Sequence, residues 1–172
     1  MVKDEEVKFC IKCGTKLIVK SDHEGKVRKM CAECDWIFYE NPLPAAVCVI
    51  LNKKREILLI KRKVEPSAGK WALPSGYVEI DQTPEKCAVV ELKEETGLKG
   101  KIISFLGYNM QTSQICKKVI SFGFHLKKIG GKLIPGDDAL DAKFFPIKKI
   151  PELPFSSHKK FIQIIKKQKG IL

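Results

Sequence analysis

Three glutamates within five residues, Glu91, Glu94 and Glu95, have the spacing of one helical face. At about 100° per residue they fall on a narrow arc. Carboxylates are hard oxygen donors, and Glu91 and Glu95, four apart, can hold Mg²⁺ or Mn²⁺ between them. A second set is made of sulfur. Cys10-x-x-Cys13 and Cys31-x-x-Cys34 are separated by seventeen residues. Two turns of this kind offer four thiolates to one tetrahedral Zn²⁺. A disulfide framework is the competing reading, and a reducing compartment disfavours it. Four thiolates fill the coordination sphere, so this zinc is structural and is assigned no catalysis.

The acids need a helix to hold them, and its ends are written in the sequence. Thr83 can cap the start with its hydroxyl, Pro84 suits the first helical position, and Gly97 can take the left-handed conformation that stops it. The acids therefore lie at the negative end of the macrodipole, where a carboxylate costs roughly 0.3–1 kcal/mol. They also repel one another by a few tenths of a kcal/mol per pair. Ala88, Val89 and Leu92 form a separate apolar arc, and Lys86 and Lys93 a third. A solvated charge run explains this poorly, because lysine or arginine would be preferred here. A local rule broken without visible compensation points to function, and a cation is the compensation.

Composition sets the frame. The chain has 172 residues, 44% of them hydrophobic, which suits one ordinary domain plus a small module. No apolar run reaches the ~18 residues of a membrane span, and the charged start lacks a signal-peptide core, so the expected location is cytoplasmic. The net charge of +12, from 32 basic and 20 acidic residues, suits nucleotides or nucleic acid as well as a plain solvated surface.

Lys16–Lys20 and Lys26–Met30 read as strands around a turn, in a piece of about forty residues that needs its metal to fold. His23 in that turn reads as exposed. Asn41 to Pro44 reads as a linker, Ala45–Leu51 as a buried strand and Glu56–Lys61 as a second. Arg62, at that strand's end, is a candidate phosphate contact. Trp71 reads as core rather than as a base-stacking residue. Lys101–Asn109 and Ile115–Leu126 read as later strands. His125 falls on the less apolar face of the last of these and reads as a surface residue. Ser156 or Ser157 caps a final helix whose lysines could meet RNA. Cys48, Cys87 and Cys116 read as small apolar residues.

Residues 76–98 resemble the Nudix box, G-x5-E-x7-R-E-U-x-E-E-x-G-U, where U is a bulky aliphatic residue. Gly76, Glu91, Leu92, Glu94, Glu95, Gly97 and Leu98 match in register, while Gln82 and Val90 replace the first Glu and the Arg. The ribbon, the Tyr-x-Asn-Pro at 39–42 and the Trp-x-Leu-Pro-x-Gly-Tyr-Val-Glu at 71–79 are similar to zinc-ribbon Nudix pyrophosphatases of the NADH, ADP-ribose and FAD type. The resemblance implies a zinc ribbon at 1–40 and a Nudix domain at 41–172, with a mixed-sheet α/β/α sandwich. It implies metal-dependent attack of water on a diphosphate, with Glu91, Glu95 and the Ser75 carbonyl on magnesium and Glu94 assisting. The acidic segment 137–141, with Asp138 and Asp141, would add a base or a metal contact. The expected partner is a nucleoside-diphosphate small molecule, with RNA and a homodimer partner as further expectations. Ser113-Gln114 is followed by Ile115-Cys116, which departs from the NADH-specific run. Loss of the acid and base at 82 and 90 implies a slower enzyme, or a nucleotide- or RNA-binding module of the same fold.

Overall fold

The computed structural model describes residues 7–170. The chain divides into two compact units, Met1–Pro42 and Leu43–Leu172.

In the first unit β1 (Leu17–Ser21), β2 (Val27–Cys31) and β3 (Ile37–Phe38) form an antiparallel sheet in that order. Its turn is built by Asp22. The buried carboxylate accepts the N–H groups of Glu24 and Lys26, both at 2.9 Å, and the Nε–H of Arg28 at 2.7 Å. That Arg28 bond, and then the two backbone bonds, hold the Asp22 carboxyl below the usual carboxylate range. His23 is exposed, as the sequence predicts.

In the second unit β4 (Leu43–Ile50), β7 (Ser75–Tyr77), β8 (Leu98–Thr112) and β9 (Lys118–Gly131) form a sheet in the order β7-β4-β9-β8. The β4–β9 pair is parallel and the others are antiparallel, so the sheet is mixed. A second sheet has the order β10-β5-β6, from β5 (Glu56–Arg62), β6 (Trp71–Ala72) and β10 (Ala139–Pro146). Two helices, α1 (Pro84–Thr96) and α2 (Ser156–Gln168), complete the unit.

The apolar run on β4 is continuous because both faces are covered. Ala46, Cys48 and Ile50 pack with Cys87, Ala88 and Leu92 of α1. Val47 and Val49 pack with Phe161, Ile162 and Ile165 of α2. On β5, Leu58 joins the first cluster, while Ile57 and Leu59 join the second. This is the expected α/β/α sandwich.

Three boundaries differ from the sequence reading. Leu43 and Pro44 belong to β4 rather than to a linker, since a proline near the first residue of a strand needs no ladder donor. Strand β8 starts directly after the helix stop, and β9 starts three residues later than expected. There Ser113 Oγ accepts the N–H groups of Ile115 and Cys116 and makes a turn. Strand β9 also runs past Leu126, with Lys127–Gly131 paired with Leu98–Lys101.

Candidate active site

Helix α1 has the ends its sequence predicts. Thr83 Oγ1 accepts from Lys86 N at 3.2 Å, and Gly97 adopts φ 69° with its N–H on Lys93 O. Between them the three acids face one cavity of about 500 Å³, with Glu79, Asp137 and Asp138 on the same wall system. Glu95 is only 3% exposed, and its Oε2 accepts the Ser75 N–H at 2.8 Å. The carboxylate of Glu91 lies against Gly76 so closely that a Cβ there would overlap it. The loop glycine is thus a cradle for a carboxylate. Glu94 is exposed at the rim.

Crowding of acids shows in their proton affinity. Burial pushes Glu91 up to about 7, with Glu94, Asp137, Asp138 and Glu79 adding repulsion. Burial pushes Glu95 up to about 8, with repulsion from Glu91 and Asp138, against the opposing Ser75 N–H and Arg62. Seven carboxylates line one cavity, Glu65 among them, and two of them resist ionisation; together they form a hard-oxygen donor set short of positive charge. That donor set fits a divalent cation.

The same cavity is lined by Arg62, Gln111, Phe155, Ser157 and His158. Arg62 donates from Nε to Pro66 O at 2.9 Å, and its guanidinium lies 5.3 Å from the Phe155 ring centroid. Helix α2 lacks the expected serine cap. Its N-cap is Phe155, which makes no side-chain cap bond. Gln111 of β8 does the work instead: its Oε1 accepts Ser157 N–H and Ser156 Oγ–H, both at 3.1 Å. His158 Nδ1 accepts the Leu73 N–H at 3.1 Å, and burial, then Arg62, lowers its pKa to about 3.

Other candidates lie elsewhere. Trp71 packs edge-on to Phe145, with ring centroids 4.8 Å apart, and does not line the cavity. Asp138 lines it, whereas Asp141 lies in β10 at 3.4 Å from Lys143 Nζ. His125 is not a surface residue. Its face of β9 is the one α2 covers, leaving it 6% exposed, with burial and then Lys169 lowering its pKa. Gln82 and Val90 do not line the cavity. Cys87 and Cys48 are fully buried, as small apolar residues should be. Tyr77 and Glu79 stood within the quoted Tyr-Val-Glu and Asp137 opened the acidic segment 137–141, but none was singled out; Gln111, Ser157 and His158 carried no local signal as lining residues.

In the ribbon the sulfurs of Cys10, Cys13, Cys31 and Cys34 all lie within 4.8 Å of one another. Cys13 is 3.4 Å from Cys31, and Cys10 is 3.6 Å from Cys34. A tetrahedral ZnS₄ centre requires about 3.8 Å between sulfurs, given Zn–S bonds of about 2.3 Å, so the cluster fits that ion. The crowded sulfurs differ in proton affinity: hydrogen bonding to Thr15 lowers the Cys13 thiol to about 6, while Cys34, against the Trp36 backbone bond, is pushed up to about 12 by burial and the other three sulfurs.

A family model described as the NUDIX domain matches residues 41–164, and one described as Nudix N-terminal matches residues 8–40. An ADP-ribose pyrophosphatase of Methanocaldococcus jannaschii is 44% identical over 139 residues, covering 79% of this chain and 82% of that one. A NAD-capped RNA hydrolase NudC of Pseudomonas aeruginosa is 28% identical over 148 residues, covering 86% of this chain and 50% of that one. The chain therefore spans about half the length of that relative. The crystal structure of a NUDIX hydrolase from Nitrosomonas europaea superposes with a TM-score of 0.79 at 26% identity, covering 95% and 93% of the two chains.

Proposed function

The chain belongs to the Nudix family, and from that membership we propose that it hydrolyses the diphosphate of ADP-ribose, FAD or a related dinucleotide with a divalent cation. The observation that carries this reading is the acid face at the end of α1, with Glu95 held by the Ser75 N–H and Glu91 seated against Gly76. The similar archaeal ADP-ribose pyrophosphatase favours that substrate among the group.

Glu91, Glu95 and the Ser75 carbonyl hold Mg²⁺ or Mn²⁺, with Glu94 assisting, and Glu79, Asp137 and Asp138 supply further oxygens nearby. Such an ion neutralises phosphate oxygens and lowers the pKa of an attacking water. The chain's own residues do the rest. Glu95 is fixed through the backbone, Glu94 and Asp138 stand at the cavity as proton acceptors, and Arg62 faces the phosphates. In the reaction the water oxygen bonds to one phosphorus, the bridging P–O bond breaks, and the second phosphate leaves. ADP-ribose yields AMP and ribose 5-phosphate.

The test is a screen of ADP-ribose, FAD and NADH with added Mg²⁺ or Mn²⁺, reading nucleotide products. ADP-ribose turnover that stops on removing the cation is expected; tight binding without turnover would make this a nucleotide-binding module. A second reading is a NAD-capped RNA end as substrate. It is favoured by the relative of that name and by Lys159, Lys160, Lys166 and Lys167 on α2. Faster turnover of capped RNA than of free dinucleotide would select it.

The ribbon at 1–40 holds one Zn²⁺ through Cys10, Cys13, Cys31 and Cys34, and the domain at 41–172 carries the chemistry. Elemental analysis of protein purified without chelator should give one zinc per chain; none would contradict the assignment.

A further inference from the structure

The net charge of the chain is not spread evenly. Residues 96–136 and 153–172 hold twelve lysines and no aspartate or glutamate, while the rest of the chain carries twenty basic and twenty acidic residues. The whole excess of +12 therefore lies with β8, β9, α2 and the residues that flank them. Two of these lysines, Lys101 and Lys127, stand directly opposite each other in the β8–β9 pair, where like charges repel. A field of one sign on neighbouring elements attracts a polyanion.

Strand β8 is the edge of its sheet, and it carries exposed apolar side chains among these lysines. Phe105 is 53% exposed, Tyr108 60% and Met110 52%. In a regular strand Phe105 and Tyr108, three apart, would point to opposite faces. Here the register shifts between Phe105 and Gly107, and Gly107 takes φ 98°. That bulge adds Leu106, which is buried in the cluster with Phe161 of α2, and returns Tyr108 to the face of Phe105. Phe105, Tyr108 and Met110 then pair with Phe124, Phe122 and Ile120, alternate residues on one face of β9. Lys118 and Lys128, both exposed, fall on that same face near the two ends of β9.

A second copy of the chain does not suit this face, since it would bring two lysine-rich regions together with no acid between them. A nucleic acid strand does suit it, because it brings phosphates to the lysines and unpaired bases to the rings. We propose that this β8–β9 face binds single-stranded RNA outside the cavity, with Phe105 and Tyr108 as stacking surfaces and Lys118 and Lys128 on phosphates. The choice of RNA over DNA rests on the second reading given above; the binding face itself does not. Strand β8 ends in the cavity wall at Gln111 and Thr112, so RNA laid along it ends at the edge of the acid site.

The test is titration of the full chain with a short, uncapped, unstructured RNA, without added divalent metal. Tyr108→Ala should weaken binding about tenfold, with an unchanged melting temperature because the side chain is exposed. Tyr108→Phe, which keeps the ring, should bind as the unaltered chain does. Lys118→Gln and Lys128→Gln should each lower the slope of log affinity against log salt by about 0.7. Duplex RNA of the same length should bind more weakly, since its bases cannot reach the rings, and DNA of the same sequence should bind no more tightly. Undiminished RNA binding by Tyr108→Ala, or unchanged salt slopes in both lysine variants, overturns the proposal. So does tighter binding of the duplex or of the DNA. A dimer that Tyr108→Ala dissociates, seen by ultracentrifugation without RNA, would overturn it too and give the face to a second copy. Because neither cap nor added metal enters, a failure here and a failure of the hydrolysis reading are separate results.

Discussion

The two helices have the same length, 13 residues each, and opposite designs. Helix α1 brings its own ends, Thr83 and Gly97, and concentrates acid at its C-terminus. Helix α2 brings no cap of its own and borrows Gln111 from a strand 46 residues away. The first keeps its chemistry on a face that local sequence defines. The second gets its chemistry from what other elements do to it: Leu73 fixes His158, and Gln111 occupies the helix end. A site assembled from both is therefore half local and half tertiary. The helix ends contribute stability, and the side chains between them contribute function.

The largest expected effect attacks the local half. Gly76→Ala puts a methyl where the Glu91 carboxylate sits. Displacement of that carboxylate by about 1 Å should cost on the order of 10²-fold in kcat/KM, with circular dichroism unchanged. An active Gly76→Ala enzyme would mean that Glu91 is free to work from elsewhere.

A smaller effect tests whether a borrowed cap matters as much as a local one. Thr83→Ala should cost about 1 kcal/mol, the usual worth of a helix cap. Gln111→Ala removes the acceptor for both Ser157 N–H and Ser156 Oγ–H and should cost about 1–2 kcal/mol. Urea unfolding measures both. Gln111→Ala as stable as the parent would show that α2 needs no partner at its start.

A further effect is in pH, and the helices should respond in opposite directions. In the fold Glu91 and Glu95 are raised to about 7 and about 8, above an unfolded value of about 4.3. The folded state then binds more protons, so this contribution to stability is full below about pH 4.3 and lost as pH rises to about 8. His158 is lowered to about 3 from about 6.5. Its contribution is full above about pH 6.5 and lost as pH falls towards 3. Metal-free melting curves should show Glu95→Gln flattening the alkaline limb and His158→Asn flattening the acid limb. Mg²⁺ should restore the alkaline limb of the unaltered chain. Identical pH profiles for all three proteins would contradict the burial of both groups.

Legibility in the sequence follows the same division. The acid face, its caps and the two cysteine pairs were readable, because each depends on spacing within a few residues. The alternating faces of β9 were also readable, but which one α2 covers was not, so His125 was placed at the surface. Ser156 and Ser157 looked like caps because serine suits that position. The actual cap comes from β8, and no local pattern announces a glutamine that reaches across the fold. Asp141 was grouped with Asp138 by the family resemblance of segment 137–141, although β10 begins between them and gives Asp141 a lysine neighbour.

The central claim is that the acids at the end of α1 hold a cation for diphosphate hydrolysis. Its most direct test is Glu95→Gln, in which the amide oxygen can still accept the Ser75 N–H while the charge is gone. Mn²⁺ binding and ADP-ribose hydrolysis should be followed on the same sample. The account predicts weakened Mn²⁺ binding, a loss of kcat on the order of 10²-fold or more, and a metal-free melting temperature at pH 8 equal to or above that of the unaltered chain. Retained Mn²⁺-dependent turnover together with a lowered melting temperature would contradict it and make Glu95 a structural residue.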